Sequence, residues 1–253
     1  QYDGIPSTAR NVAYSAGNTL SDMAIYDRVE VLKGATGLLT GAGSLGATIN
    51  LVRKKPTADF KGHATLGAGS WDNYRSELDV SGPLTESGNV RGRAVAAYQD
   101  KHSFMDHYSR KSPTYYGIME FDLSPDTLLT VGGDYQDTLP KGSSWSGSFP
   151  LINSKGERNK VKRSFNNAAD WSSWEQYTRT VFAMLEHDLG NGWVTKLQLD
   201  HKINGYHALM GSIQGDQPQP DGTAQLTSGK YTGETVSDSA DLYVSGPFSL
   251  GGR

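Results

Sequence analysis

YDRVEVLKGATGLLTGAGSLGATINLVRKKPT, running from Tyr26 to Thr57, divides the chain into two textures. Two short β runs, Arg28-Val29-Glu30-Val31-Leu32 and Thr48-Ile49-Asn50-Leu51-Val52, flank a glycine-rich segment that carries no charge from Gly34 to Ala47. The residues before it are mixed and polar, and Asn18 to Tyr26 reads as one short helix capped by Asn18 or Ser21, with Leu20, Met23 and Ala24 toward a core. After Pro56 the sequence turns to alternating polar and apolar residues. The stretch is therefore the hinge between a small globular unit and a long β wall.

The wall contains about eight candidate strands: Gly62 to Ser70, Tyr74 to Pro83, Val90 to Asp100, Thr114 to Leu123, Thr127 to Asp137, Trp174 to Leu189, Gly192 to His207 and Gly229 to Phe248. Each is long enough to cross a bilayer at a tilt, for which about 9 to 11 residues are needed. Trp193, Leu197 and Leu199 share one face, opposite Lys196, Gln198, Asp200 and Lys202. Leu78 and Val80 stand likewise against Arg75, Glu77, Asp79 and Ser81, and Leu129, Val131 and Tyr135 against Thr130, Asp134 and Gln136. A sandwich would bury the apolar face; a membrane barrel would turn it to lipid.

The connections favour the barrel. Residues 84–89, 124–126 and 190–191 are tight turns, whereas 101–113, 138–173 and 208–228 are long, polar and aromatic-bearing. In an up-and-down meander, alternate connections fall at the same end. Short turns at one rim and long loops at the other are the asymmetry of a bacterial outer-membrane barrel. Aromatics near strand ends, among them Tyr98, Tyr115, Tyr135 and Trp193, suit interfacial girdles. Thirty glycines and a hydrophobic fraction of only 36% suit a wall with a polar lumen better than a solid core. The chain has no cysteine, which excludes disulfides and thiolate metal sites, and its net charge of -3 gives no basic footprint for nucleic acid. No apolar run is long enough for a transmembrane helix. The chain begins at Gln1 without a leader and is expected to be an internal piece of a longer protein.

Gly41-Ala42-Gly43-Ser44-Leu45-Gly46 spells a dinucleotide fingerprint, but no strand runs straight into it and Pro56 arrives too soon for a crossover helix. His102 and His107 with Asp100 and Asp106, and His187, Asp188, Asp200 and His201 across a hairpin, are candidate metal or acid-base groups. A solvated rim explains the first set as well. Trp145, Trp171 and Trp174 lie among small residues on a loop with no core to fill, which suits a contact surface for a planar or amphipathic ligand.

The opening stretch resembles the end of the plug domain of TonB-dependent outer-membrane siderophore receptors. Arg28-Val29-Glu30-Val31-Leu32-Lys33-Gly34, the glycine run, and Ile49-Asn50-Leu51-Val52-Arg53-Lys54-Lys55-Pro56 follow that family's order, with Ala35 where proline is usual. Within it, Gly69-Ser70-Trp71-Asp72-Asn73-Tyr74-Arg75, Trp145-Ser146-Gly147-Ser148-Phe149-Pro150 and Lys230-Tyr231-Thr232-Gly233-Glu234-Thr235 are most similar to the ferripyoverdine receptors of pseudomonads. The resemblance implies an all-β fragment, with a small α+β plug portion, of a plugged antiparallel transmembrane β-barrel of about 22 strands. Residues 1–57 would close the plug and 58–253 would form the first eight or so strands. It implies no enzyme and no cofactor beyond iron carried in a ferric siderophore, expected to be of the pyoverdine class. Its implied partners are that siderophore, the TonB-ExbB-ExbD complex, outer-membrane lipid and bacteriocins or phage. Trp145 and Trp174 match two positions of the family's aromatic pocket, and Gln217 stands where some members carry a third tryptophan. Arg28, Glu30, Lys33 and Arg53 are the expected plug-to-barrel contacts. An adhesive barrel or an outer-membrane hydrolase are the competing readings.

Overall fold

A computed structural model of the chain describes residues 1–4, 22–34, 47–144, 149–213 and 217–248. The two β runs of the opening stretch pair as β1 (Tyr26–Lys33) and β2 (Ala47–Arg53), antiparallel, with Val29 opposite Leu51 and Val31 opposite Ile49. The glycine run between them lies outside the described residues. Of the stretch expected to be helical, residues 18–21 lie outside the described residues and the remainder holds one 3-10 turn, Met23–Ile25. Its cap is Asp22, whose carboxylate accepts from the Ala24 backbone N–H at 2.9 Å. Ala24 and Ile25 are buried while Met23 is exposed, so the apolar contact begins one residue later than the pattern suggests.

The remaining strands form one antiparallel meander in chain order: β3 (Lys61–Gly69), β4 (Asn73–Pro83), β5 (Val90–His102), β6 (Ser109–Ser124), β7 (Thr127–Lys141), β8 (Ser173–Gly190), β9 (Trp193–Ile213) and β10 (Leu226–Ser245). Its two faces invert the usual sorting. Asp79, Thr114, Glu120, Thr130, Asp134, Gln136, Thr178, Thr180, Gln198 and Lys202 are buried, whereas Leu66, Leu78, Val181, Leu185, Leu197, Leu199 and Leu242 are exposed. Period-2 alternation carried in register across paired strands produces this, because partners in a ladder share a face. A sheet with polar residues covered and apolar residues bare is a wall whose outer solvent is lipid.

Tyrosines mark where that band ends. Tyr98 stands eight residues from Val90, Tyr115 eight from Leu123 and Tyr135 eight from Thr127, all on the outer face. Eight tilted residues rise about 20 Å, close to the apolar height of an outer-membrane barrel. Above this line β7, β8 and β9 continue beyond the bilayer. The connection expected at 101–113 is thereby reduced to residues 103–108, and the one at 138–173 to residues 142–172.

Candidate functional site

The buried face of the wall holds the β1–β2 unit by charge and hydrogen bonds. Asp22 receives a two-pronged fork from Arg75, at 2.9 and 2.7 Å, and its backbone N–H donates to Gln136 Oε1 at 2.8 Å. Burial alone would raise the Asp22 carboxyl; the Arg75 fork and the Ala24 N–H outweigh it and hold the group below the ordinary carboxylate range. Asp79 accepts from Lys54 Nζ at 2.8 Å and from Arg93 Nε and Nη2 at 2.8 and 2.7 Å. Arg93 also donates to the Lys55 carbonyl and Tyr116 to the Lys54 carbonyl.

Arg53 is buried as deeply as Asp79, with its side chain only 3% exposed. It donates to Asp3 Oδ2 at 2.7 Å and reaches across to Asp200 Oδ1 of β9 at 3.3 Å. Its guanidinium lies over the Phe182 ring, 4.1 Å from the centroid. Of the other expected contact residues, Arg28 and Glu30 bond one another at 2.8 Å, and Glu30 accepts from Asn50 within the same hairpin. Both are exposed, and Lys33 makes no ion pair among the described residues. The Lys54, Lys55 and Asp22 contacts were not singled out from sequence. They fall where the basic run and the turn cap meet the polar face of β4 and β5, and the alternation of that face was the available signal.

Above the tyrosine line, the lumen faces of β6, β7 and β8 enclose a cavity of about 380 Å³. Tyr108, Arg110, Thr138, Trp174 and Gln176 form its wall, and Met105, Phe149 and Phe165 close it from the loops. Loop 142–172 is stitched down over the mouth. Asn166 Nδ2 donates to the Gly142 carbonyl at 2.8 Å and to the Asp106 carbonyl at 3.1 Å, and Phe149 meets Phe165 edge to face at 4.8 Å between centroids. Gly142 sits at φ +65 with its missing Cβ position 2.5 Å from the His107 carbonyl, so no side chain fits there.

Trp174 points into this cavity; Trp171, of opposite parity, lies on the outer face over Gly211. Trp145 lies outside the described residues. Gln217 is exposed, in a segment that leans on the loop through the Ser154-to-Pro218 backbone bond of 2.9 Å, and it is not among the lining residues. The proposed histidine sets do not assemble. His102 meets Asp72 at 3.3 Å in an exposed pair, and no group of three or more His, Asp or Glu among the described residues could hold a metal. His187 is opposite Thr195 and His201 opposite Val181, so the register keeps the four hairpin groups apart. Asp200 instead faces the lumen at Arg53.

No protein-family model matches the chain. The ferripyoverdine receptor of Pseudomonas aeruginosa is 79% identical over all 253 residues, which span 31% of that relative's length. A ferric-pyoverdine BN7/BN8 receptor of Pseudomonas putida is 45% identical over the whole chain and 30% of its own length. A crystal structure of the P. aeruginosa outer-membrane receptor bound to ferripyoverdine covers the chain completely at a TM-score of 0.94, the chain matching 34% of it. The chain thus spans about a third of the relatives it matches.

Fold, cavity and relatives together define a wall segment, with its attached lumen hairpin, of a plugged β-barrel receptor of the outer membrane. It is of the TonB-dependent siderophore receptor class, and the chain belongs to the ferripyoverdine receptors.

Proposed function

We propose that the protein containing this chain binds a ferric siderophore of the pyoverdine class in the aromatic cavity at the extracellular mouth and carries it across the outer membrane. The TonB-ExbB-ExbD complex, driven by the proton-motive force, supplies the work. In this reading residues 1–57 are the closing part of the plug and residues 58–253 the first strands of the barrel. The observation that carries it is the cavity itself. Trp174, Tyr108, Phe149 and Phe165 present flat apolar surfaces, and Arg110, Asn166, Asn167 and Gln176 supply hydrogen-bonding groups. That combination fits a planar chromophore attached to a polar peptide. The 79% identical relative is named for the same ligand class.

Release inward requires the plug to move, and its contacts with the wall are polar and therefore separable once water enters. Arg53, Lys54 and Asp22 hold it to β9 and β4, while Arg28, Glu30 and Lys33 face away from the strands of this chain. The relatives are named as receptors, which leaves the adhesive and hydrolytic alternatives without support. A relative at 79% identity has been seen in complex with pyocin S2, so the same outer surface is also proposed as a docking place for a bacteriocin.

Quenching of siderophore chromophore fluorescence on titration into the intact receptor tests the reading. Ferripyoverdine should bind, and Trp174→Ala should weaken binding at least about tenfold, the loss expected of a buried aromatic anchor. No binding by the intact receptor, or an unchanged affinity in the variant, would overturn the function or the site respectively.

A further inference from the structure

Lys101 and Arg110 are directly opposed across β5 and β6, on the lumen face just above the tyrosine line. Like charges so placed repel one another, and a wall keeps them only where something negative completes the arrangement. Among the described residues no carboxylate pairs with either cation. The neighbouring carboxylate, Asp100, faces outward and is held by Lys111 at 3.7 Å. Arg110 Nε is buried with no acceptor, and so is Trp174 Nε1. Both residues line the cavity, and among the described residues Arg110 is its only charged lining residue.

Two buried N–H donors without acceptors, beside two cations without an anion, describe half of a binding site. A water molecule would satisfy the donors but not the charges. We propose that the Arg110 corner of the cavity is an oxyanion subsite. Arg110 and Trp174 donate to an anionic oxygen group of the siderophore, a carboxylate in the simplest case, and Lys101 supplies the second positive charge. The guanidinium suits this role because its planar fork matches a carboxylate and it stays charged. The subsite orients the ligand by placing its anionic edge on β6 while its flat surface lies along Trp174. This rests on the siderophore reading above.

The test uses the intact receptor in detergent with two probes, ferripyoverdine and the same molecule with its free carboxyl groups converted to neutral amides. The amide should bind about tenfold or more weakly to the unaltered receptor, the usual weight of a charge-assisted hydrogen bond. Arg110→Gln should cost the acid form a similar factor and leave the amide form nearly unchanged, and Lys101→Gln should act in the same direction to a smaller extent. Equal losses for acid and amide in both variants would mean a packing role and overturn the subsite, as would equal affinity of the two probes for the unaltered receptor. Failure of the unaltered receptor to bind either probe would instead sink the siderophore reading.

Discussion

Asp79 shows what the lumen demands of one residue. Its carboxylate is 2% exposed and serves Lys54 from the hairpin and Arg93 from β5 at the same time. Removing it strands two cations in a buried place, so Asp79→Ala should destabilise the folded receptor by about 3–5 kcal/mol and free the hairpin to proteases. A cost below about 1 kcal/mol in denaturant unfolding would mean that water already reaches the pair. Asp22 gives a pH dependence. Its pKa is lowered in the folded state, so its contribution is complete above the ordinary carboxylate value of about 4 and disappears as pH falls through the lower, folded one. Asp22→Asn should therefore flatten the acid limb of the stability profile; an unaltered limb would assign that loss to other groups. At this scale the sequence announced which residues face the lumen, since Arg75, Asp79 and Arg93 fall on the polar parity. It did not announce who meets whom. Arg28 and Glu30 sit two residues apart on one strand and bond each other, away from the strands of this chain, an arrangement that alternation alone does not reveal.

Among elements, the strands were legible in number and facing but not in length. β9 was expected to end at His207 and runs to Ile213. Residues 208–213, Ala-Leu-Met-Gly-Ser-Ile, are small or apolar on both faces, so the polar–apolar alternation stops there while the ladder continues. Leu197 lies midway along the crossing part, facing outward. Leu197→Arg should cost about 2–4 kcal/mol in unfolding from a bilayer. A change under 1 kcal/mol would place that face away from lipid. Loop 142–172 carries the opposite lesson: its length marked it as functional, but the bonds that press it onto the mouth come from Asn166 and Ser172, residues without any motif. Gly142→Ala must force a left-handed backbone to carry a methyl group against the His107 carbonyl. It should cost more than about 1–2 kcal/mol and weaken siderophore binding by loosening the lid. Normal affinity and normal protease resistance of the loop in that variant would show that the turn relaxes freely.

For the molecule as a whole, the aromatic cavity above and the charged hairpin below share β7 and β8. Thr138, Trp174 and Gln176 line the cavity, while lower on the same strands Gln136 bonds Asp22 and Phe182 lies under Arg53. The hairpin's polar bonds reach β4, β5, β6, β7 and β9 in one contiguous run of chain. None of them needs the far side of a ring. These bonds can therefore form against an open, half-built palisade, before the remaining staves close around the hairpin.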